Sequence, residues 1–169
     1  PMRLLRTLAT SCTAVAAKLL LAACGGGSHQ GQNSAPDPAL LAKGQQIFRY
    51  DTFGDETQWT DILRMHEVIR TAVDPVTALS VGLKVDSEAL PAAVVQGIQD
   101  GSIDLESPDT TVALLKLDAV VGIKGMVESV GGKDTLTHVG ITCALCHSTV
   151  DDSFAPGIGK RLDGWPNRD

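Results

Sequence analysis

The sequence predicts a mainly α-helical domain carrying one small β-hairpin, and three observations lead there. Four stretches between residues 39 and 119 place apolar side chains at helical spacing. Asp55, Pro91, Gly101, Ser107 and Pro108 stand where helices begin or end. Only residues 120–142 turn to a β-branched, alternating texture, interrupted by Gly131 and Gly132.

The domain is preceded by two segments of different character. Residues 1–24 read as a secretory signal: Arg3 and Arg6 give a positive start, "TLATSCTAVAAKLLLAA" gives an apolar run, and small residues lead up to Cys24. Lys18 interrupts that run, which is too short for a membrane-spanning helix of about twenty nearly uninterrupted apolar residues. Residues 25–38 have the Gly, Ser, Gln, Asn and Pro composition of a flexible linker, in which His29 is a solvated bystander. "LLAAC" followed by this linker resembles the bacterial lipoprotein signal. The resemblance implies a lipidated Cys24 at the start of the mature protein, a membrane-anchored periplasmic lipoprotein.

The folded domain is expected over residues 39–169, about one ordinary domain of chain. "PALLAKGQQIFRYDTF" opens it with Leu40, Leu41, Gly44, Ile47 and Phe48 at helical spacing. "GDETQWTDILRMHEVIRTAVDP" predicts the strongest helix, with Asp55 as cap, Gln58 three residues on, and Asp74-Pro75 as terminator. Its stripe is Trp59, Ile62, His66, Ile69 and Val73. "VTALSVGLKVD" suits a short strand or a loop. "LPAAVVQGIQDG" predicts a helix with Pro91 in its first turn and Gly101 past its end, and "SPDTTVALLKLDA" repeats that grammar from Ser107 and Pro108. "VVGIKGMVES" and "TLTHVGIT" around "VGGKD" predict the hairpin, whose second strand leads directly into Cys143.

Charge excludes one class of partner. Three of the fourteen Lys and Arg (Arg3, Arg6 and Lys18) lie in the signal, which leaves eleven against twenty acids and a formal balance of −9. An acidic domain without a basic cluster is not expected to bind nucleic acid, and its surface suits solubility and a basic docking partner.

Cysteine usage narrows the chemistry. With Cys12 and Cys24 in the signal, the mature domain has only Cys143 and Cys146, within Thr142-"CALCH"-Ser148. One bridge across two intervening residues would staple nothing, so a disulfide framework is excluded. A structural zinc site needs four ligands, and no second pair exists. A thioredoxin-like dithiol starts a helix beside a βαβ pattern, which is not seen, and it stays a minor alternative. Covalent haem uses every member of the motif: both thiols form thioethers with the porphyrin vinyls, and His147 becomes the proximal iron ligand.

Here the chain resembles the c-type cytochromes, which implies haem c held by Cys143, Cys146 and His147. "ALLAKGQQIF" is similar to the first helix of class I cytochromes c and bacterial dihaem peroxidases, with Gly44 and Phe48 matching residues that pack near the haem. "FAPGIGKRLDG" resembles the loop after the haem motif, which implies that the Pro156 carbonyl accepts the hydrogen bond of His147. Such a bond orients the ring and raises its basicity; ordinary turn chemistry explains Pro156, Gly157 and Gly159 equally well.

Two departures limit the resemblance. About ninety residues lie between Phe48 and Cys143, a large insertion relative to compact class I proteins, and no methionine or histidine follows His147. Pro1 before Met2 and the polar stop at "GWPNRD" suggest a chain cut short. The candidate for a sixth iron ligand is His66, which interrupts an apolar stripe and would point inward, though a hydrogen-bonded core histidine competes with that reading. Met65 adjoins it. Met126 and His138 fall on the hairpin, where packing or cross-strand contact is the expectation.

The functional expectation is single-electron transfer between redox protein partners by a membrane-tethered periplasmic cytochrome. One alternative is the N-terminal part of a multihaem, peroxidase-like oxidoreductase. Another is an open-site haem protein that binds or senses a ligand. No Ser/His/Asp set, phosphate loop or paired carboxylate motif is visible, and Asp151 and Asp152 read as a solvated turn.

Overall fold

The computed structural model describes residues 35–168, so the expectations for the signal, Cys24 and the linker as far as residue 34 lie outside it. Residues 37 onward form one compact unit. Helix α1, Pro38–Tyr50, starts as its residues dictate: Asp37 caps it by accepting from the Ala39 amide at 2.9 Å, and Pro38 needs no hydrogen-bond partner in the first turn.

The long helix expected from Asp55 to Val73 is instead two pieces. A π-helical turn, Thr57–Ile62, is followed by α2, Met65–Ala72, and Arg64 between them has φ +53°. The cause lies outside the segment. Thr60 Oγ1 accepts from the Val139 amide and donates to the Val139 carbonyl, both at 2.8 Å, and the Asp55 carboxylate accepts the Ile141 amide at 3.1 Å. Satisfying a strand edge this way fixes where Thr60 must stand, and an i→i−5 bond from Leu63 to Gln58 takes up the difference. The expected stripe is broken as well: Ile62 is 65 % exposed, whereas Trp59, His66, Ile69 and Val73 are half-buried, because the wider turn and the left-handed Arg64 shift the helical phase.

Asp74-Pro75 begins an element as well as ending one. Helix α3, Pro75–Ser80, is capped by Asp74, whose carboxylate accepts the Thr77 amide at 2.7 Å. Strand β1, Val85–Asp86, follows, then a 3-10 turn, Ser87–Ala89. Helices α4, Ala92–Gln99, and α5, Pro108–Lys116, lie where Pro91, Gly101, Ser107 and Pro108 put them, although the Ser107 side chain makes no cap bond. Strands β2, Ile123–Val130, and β3, Lys133–Ile141, form an antiparallel hairpin in which Val130 faces Lys133 across a two-residue Gly131-Gly132 loop. Both loop glycines have positive φ, the geometry that matches strand twist in tight hairpins.

A single helical turn, α6, Ala144–His147, runs into β4, Ser148–Val150; β5, Ile158–Gly159, and β6, Arg161–Asp163, complete the chain. β4 pairs antiparallel with β6, and β5 pairs parallel with β1, 73 residues away in the Val85–Ile158 register.

The mainly α, cytochrome-like fold expected from the sequence is therefore corrected: the domain is mixed α/β, with helices alongside three small two-stranded sheets. Two of those sheets use strands of two or three residues, too short to show alternation, and their pairing is nonlocal. The main core lies where α5 packs on the hairpin, with Val112, Leu114, Leu115 and Leu136 buried together with Val85, Leu90, Ala119, Val120 and Ile158. Among the described residues no helix is long and apolar enough to cross a membrane.

Candidate functional site

The motif turn is built from one side inward. β3 ends at Ile141, and the Thr142 amide donates to the Gly122 carbonyl at 3.0 Å, which tethers the entry to the turn. Cys143 then opens α6, and its carbonyl accepts the His147 amide at 3.2 Å. On a helical turn, residues i, i+3 and i+4 share a face. That face carries Cys143, Cys146 and His147, all exposed, while Ala144 on the other side is fully buried. Ala144 packs in a second cluster with Val121, Val150 and Phe48 of α1.

Three contacts hold the turn against the rest of the domain. Gly122, at φ +82°, lies under Leu145, the second of the two residues between the cysteines; a Cβ there would fall 2.2 Å from Leu145 Cα. The Cys146 carbonyl accepts the Asn167 amide at 3.1 Å and the His147 carbonyl accepts the Gly164 amide at 2.8 Å, so the tail satisfies the turn's free carbonyls. Asn167 Nδ2 in turn donates to the Gly82 carbonyl at 3.2 Å.

Asp163 joins α1 to the end of the motif. Its carboxylate accepts from Ser148 Oγ at 2.9 Å, from Arg49 Nε at 2.7 Å and from Arg49 Nη2 at 2.6 Å. Partial burial pushes its carboxyl upward, but the hydrogen bonds and charge of Arg49, with the bond from Ser148, prevail and hold it below the usual range. Further along, Arg161 and Asp86 form a buried ion pair with Nε to Oδ2 at 3.3 Å. Arg161 Nε and Nη1 nevertheless lack an aligned hydrogen-bond partner, so this is a charge contact rather than a directed bond.

The other candidates are placed as follows. Pro156 is exposed at the second position of an Ala155–Ile158 turn closed by a 2.8 Å bond, with Gly157 at φ +76° supplying the left-handed third position. Among the described residues no hydrogen bond joins Pro156 to His147. Phe48 does pack against the cluster of Val121, Ala144 and Val150 behind the motif turn, whereas a Cβ on Gly44 would meet nothing within 4 Å. His66 is half-buried in α2, with Nδ1 buried and without a hydrogen-bond partner. The main packing partners of α2 are α5, β3 and the π-helical turn, while the motif turn packs on α1, so the structure does not bring His66 beside Cys143–His147. Met65 lines an apolar cavity between α2, α3 and α5. Met126 and His138 are direct cross-strand partners. Asp151 and Asp152 are exposed and order their loop, accepting the Lys160 and Gly157 amides at 2.8 Å each; the hydrogen bonds from Ser153 hold the Asp151 carboxyl low.

Gly122, Asn167 and Asp163 are the motif contacts that sequence reasoning missed. Gly122 carried the only available signal, a glycine interrupting an apolar β-branched run. Among the described residues no three His, Cys, Asp or Glu side chains cluster closely enough to hold a metal ion. Cys143 and Cys146 are both unbridged. No family model, curated protein or solved structure matches this chain.

Proposed function

We propose that this domain carries haem c and passes single electrons between redox protein partners. The observation that supports the reading is the common outward face of Cys143, Cys146 and His147 on a turn anchored from behind by Ala144 and Leu145. Two thiols on successive positions of one helical face fit two thioether bonds to one porphyrin edge, and the adjoining imidazole fits the proximal iron position. The bound haem would supply a one-electron ferric/ferrous couple. The protein's own part is to present the thiols to the cofactor and to fix the turn through Gly122, Asn167 and Gly164. It also keeps the segment after His147 in place through Asp163.

A lipid anchor at Cys24 and a periplasmic location belong to the same proposal, resting on the sequence of residues 1–38. The test is expression of the full chain with a cytochrome c maturation system, with oxidised and reduced absorption spectra and carbon monoxide added to the reduced sample. Covalent haem with a low-spin spectrum indifferent to carbon monoxide is the expected result. A high-spin spectrum that shifts with carbon monoxide would replace the carrier with an open-site haem protein. Absence of covalent haem, with a control cytochrome maturing in the same cells, would sink the reading and leave a surface dithiol.

A further inference from the structure

Helix α1 is fastened to the domain only at its C-terminal end. Phe48 packs against the cluster behind the motif turn, and Arg49 and Gln45 both reach the Asp163 carboxylate. Every residue from Pro38 to Ile47 is exposed, Leu40 at 68 % and Leu41 at 57 %. Positions 40, 44 and 47 share one helical face, with Leu41 beside it, while Gln46 falls on the opposite side. A Cβ on Gly44, in the middle of that face, would meet nothing within 4 Å. A helix of 13 residues is marginal in water unless its apolar face packs against something. Among the described residues nothing buries this one.

Chain position and charge identify what covers it. Only residues 25–37 separate Cys24 from Pro38, and a flexible tether of that length reaches about 20 Å. The surface that holds Cys24 is therefore within reach of α1, at an effective concentration for which a weak affinity is enough. Lys43 is the only charged residue from 38 to 47, in a domain whose formal balance is −9. The projecting helix thus brings a cation and no carboxylate to a layer of phosphate headgroups. We propose that α1 lies in the headgroup layer of the bilayer that holds Cys24, with Leu40, Leu41 and Ile47 turned into the acyl boundary and Lys43 at the phosphates. The helix is too short to cross a membrane but suits lying on one. Leu40 stands about 12 Å along the axis from Phe48, so the bilayer holds one end of α1 while the other keeps its place behind the motif turn. The inference rests on the lipid anchor proposed above and does not require the haem.

The test is photolabelling from within the membrane. The full lipidated chain is reconstituted in phosphatidylcholine–phosphatidylethanolamine vesicles carrying a membrane-soluble phenyl diazirine, irradiated, and its peptides weighed by mass spectrometry. The peptide covering residues 38–50 should carry about tenfold or more label than the same peptide of a Cys24→Ser chain mixed with those vesicles. Leu40→Ser with Leu41→Ser should bring labelling down to that unanchored level while vesicle retention and the acyl mass on the Cys24 peptide remain; both positions are exposed, so the core is left intact. Acyl mass at Cys24 without label on 38–50 would overturn the docking and leave the anchor standing. Equal labelling of the Cys24→Ser chain would show the probe binding α1 directly and would also overturn it. A chain without acyl mass would overturn the anchor, and this docking with it.

Discussion

Replacing Gly122 by alanine should damage the motif turn from a distance of 23 residues, as the Gly122 to Leu145 approach shows. Two costs add. An L-residue at φ +82° pays about 1–2 kcal/mol for the left-handed backbone. The new Cβ would also stand 2.2 Å from Leu145 Cα and 2.3 Å from its amide nitrogen, which are backbone atoms with no rotamer by which to yield. Relieving such overpacking costs about 1–3 kcal/mol. Together the loss is about 2–5 kcal/mol, which for a domain of this size lowers the melting temperature by about 6–20 °C. Thermal unfolding by circular dichroism measures the first effect; covalent haem per chain after coexpression with a maturation system measures the second. Gly44→Ala is the control, since a Cβ there meets nothing and helical φ suits alanine, so it should stabilise by about 0.5–1 kcal/mol. A Gly122→Ala protein that melts with its parent and takes up haem equally would refute the account of how the turn is held.

The remaining predictions concern charge and the ligand itself. Asp163→Asn should be less stable than the parent at neutral pH. The depressed carboxyl of Asp163 contributes stability above its unfolded value of about 3.9 that is lost as pH falls through the folded value. The gap between the two proteins should therefore hold from pH 7 to about 4 and narrow only as pH falls further, through the folded value, and a gap that stays constant through that acid range would assign the loss to packing. Asp86→Ala should cost about 3–5 kcal/mol by leaving Arg161 buried without its counter-charge, whereas Asp86→Leu with Arg161→Met should recover most of that in urea unfolding. His147→Ala should keep both thioether positions yet alter the reduced spectrum, and an unchanged spectrum would count against its place on the iron. Cys24→Ser should release the protein from membranes on cell fractionation; retention would show that lipid is not the sole anchor.

What could be read from the sequence was local. Pro91, Gly101, Ser107 and Pro108 announce α4 and α5 because caps and proline constraints act within a turn, and Gly131-Gly132 announces the hairpin for the same reason. The grouping of Cys143, Cys146 and His147 was legible too, since a helical turn brings those positions to one face whatever surrounds it. The mixed α/β character was not, because β1 and β5 are two residues each and meet only through tertiary structure. The break at Arg64 was equally hidden: Thr60 and Asp55 serve the edge of β3, 79 and 86 residues away, and nothing in their own neighbourhood reveals it.

The chain between α1 and the motif has a structural part in holding the motif turn. The Cys143–His147 turn is five residues of local chemistry, but a single turn of helix is unstable alone and must be held by its surroundings. Here the holding groups come from both sides of the intervening segment. Phe48 of α1 packs against the cluster of Val121, Ala144 and Val150, Gly122 receives Leu145 and the Thr142 amide, and Gly82 receives Asn167, whose own amide closes on Cys146. Gly82, Val121 and Gly122 all lie in the long stretch of chain between α1 and the motif turn. Their position relative to one another depends on the core of α5 and the hairpin, since Val120 is part of that core and Val121 belongs to the cluster at the motif. That stretch thus builds the floor on which Cys143–His147 rests, and a change in the α5 core should reach the motif through Val120, Val121 and Gly122 rather than through α1.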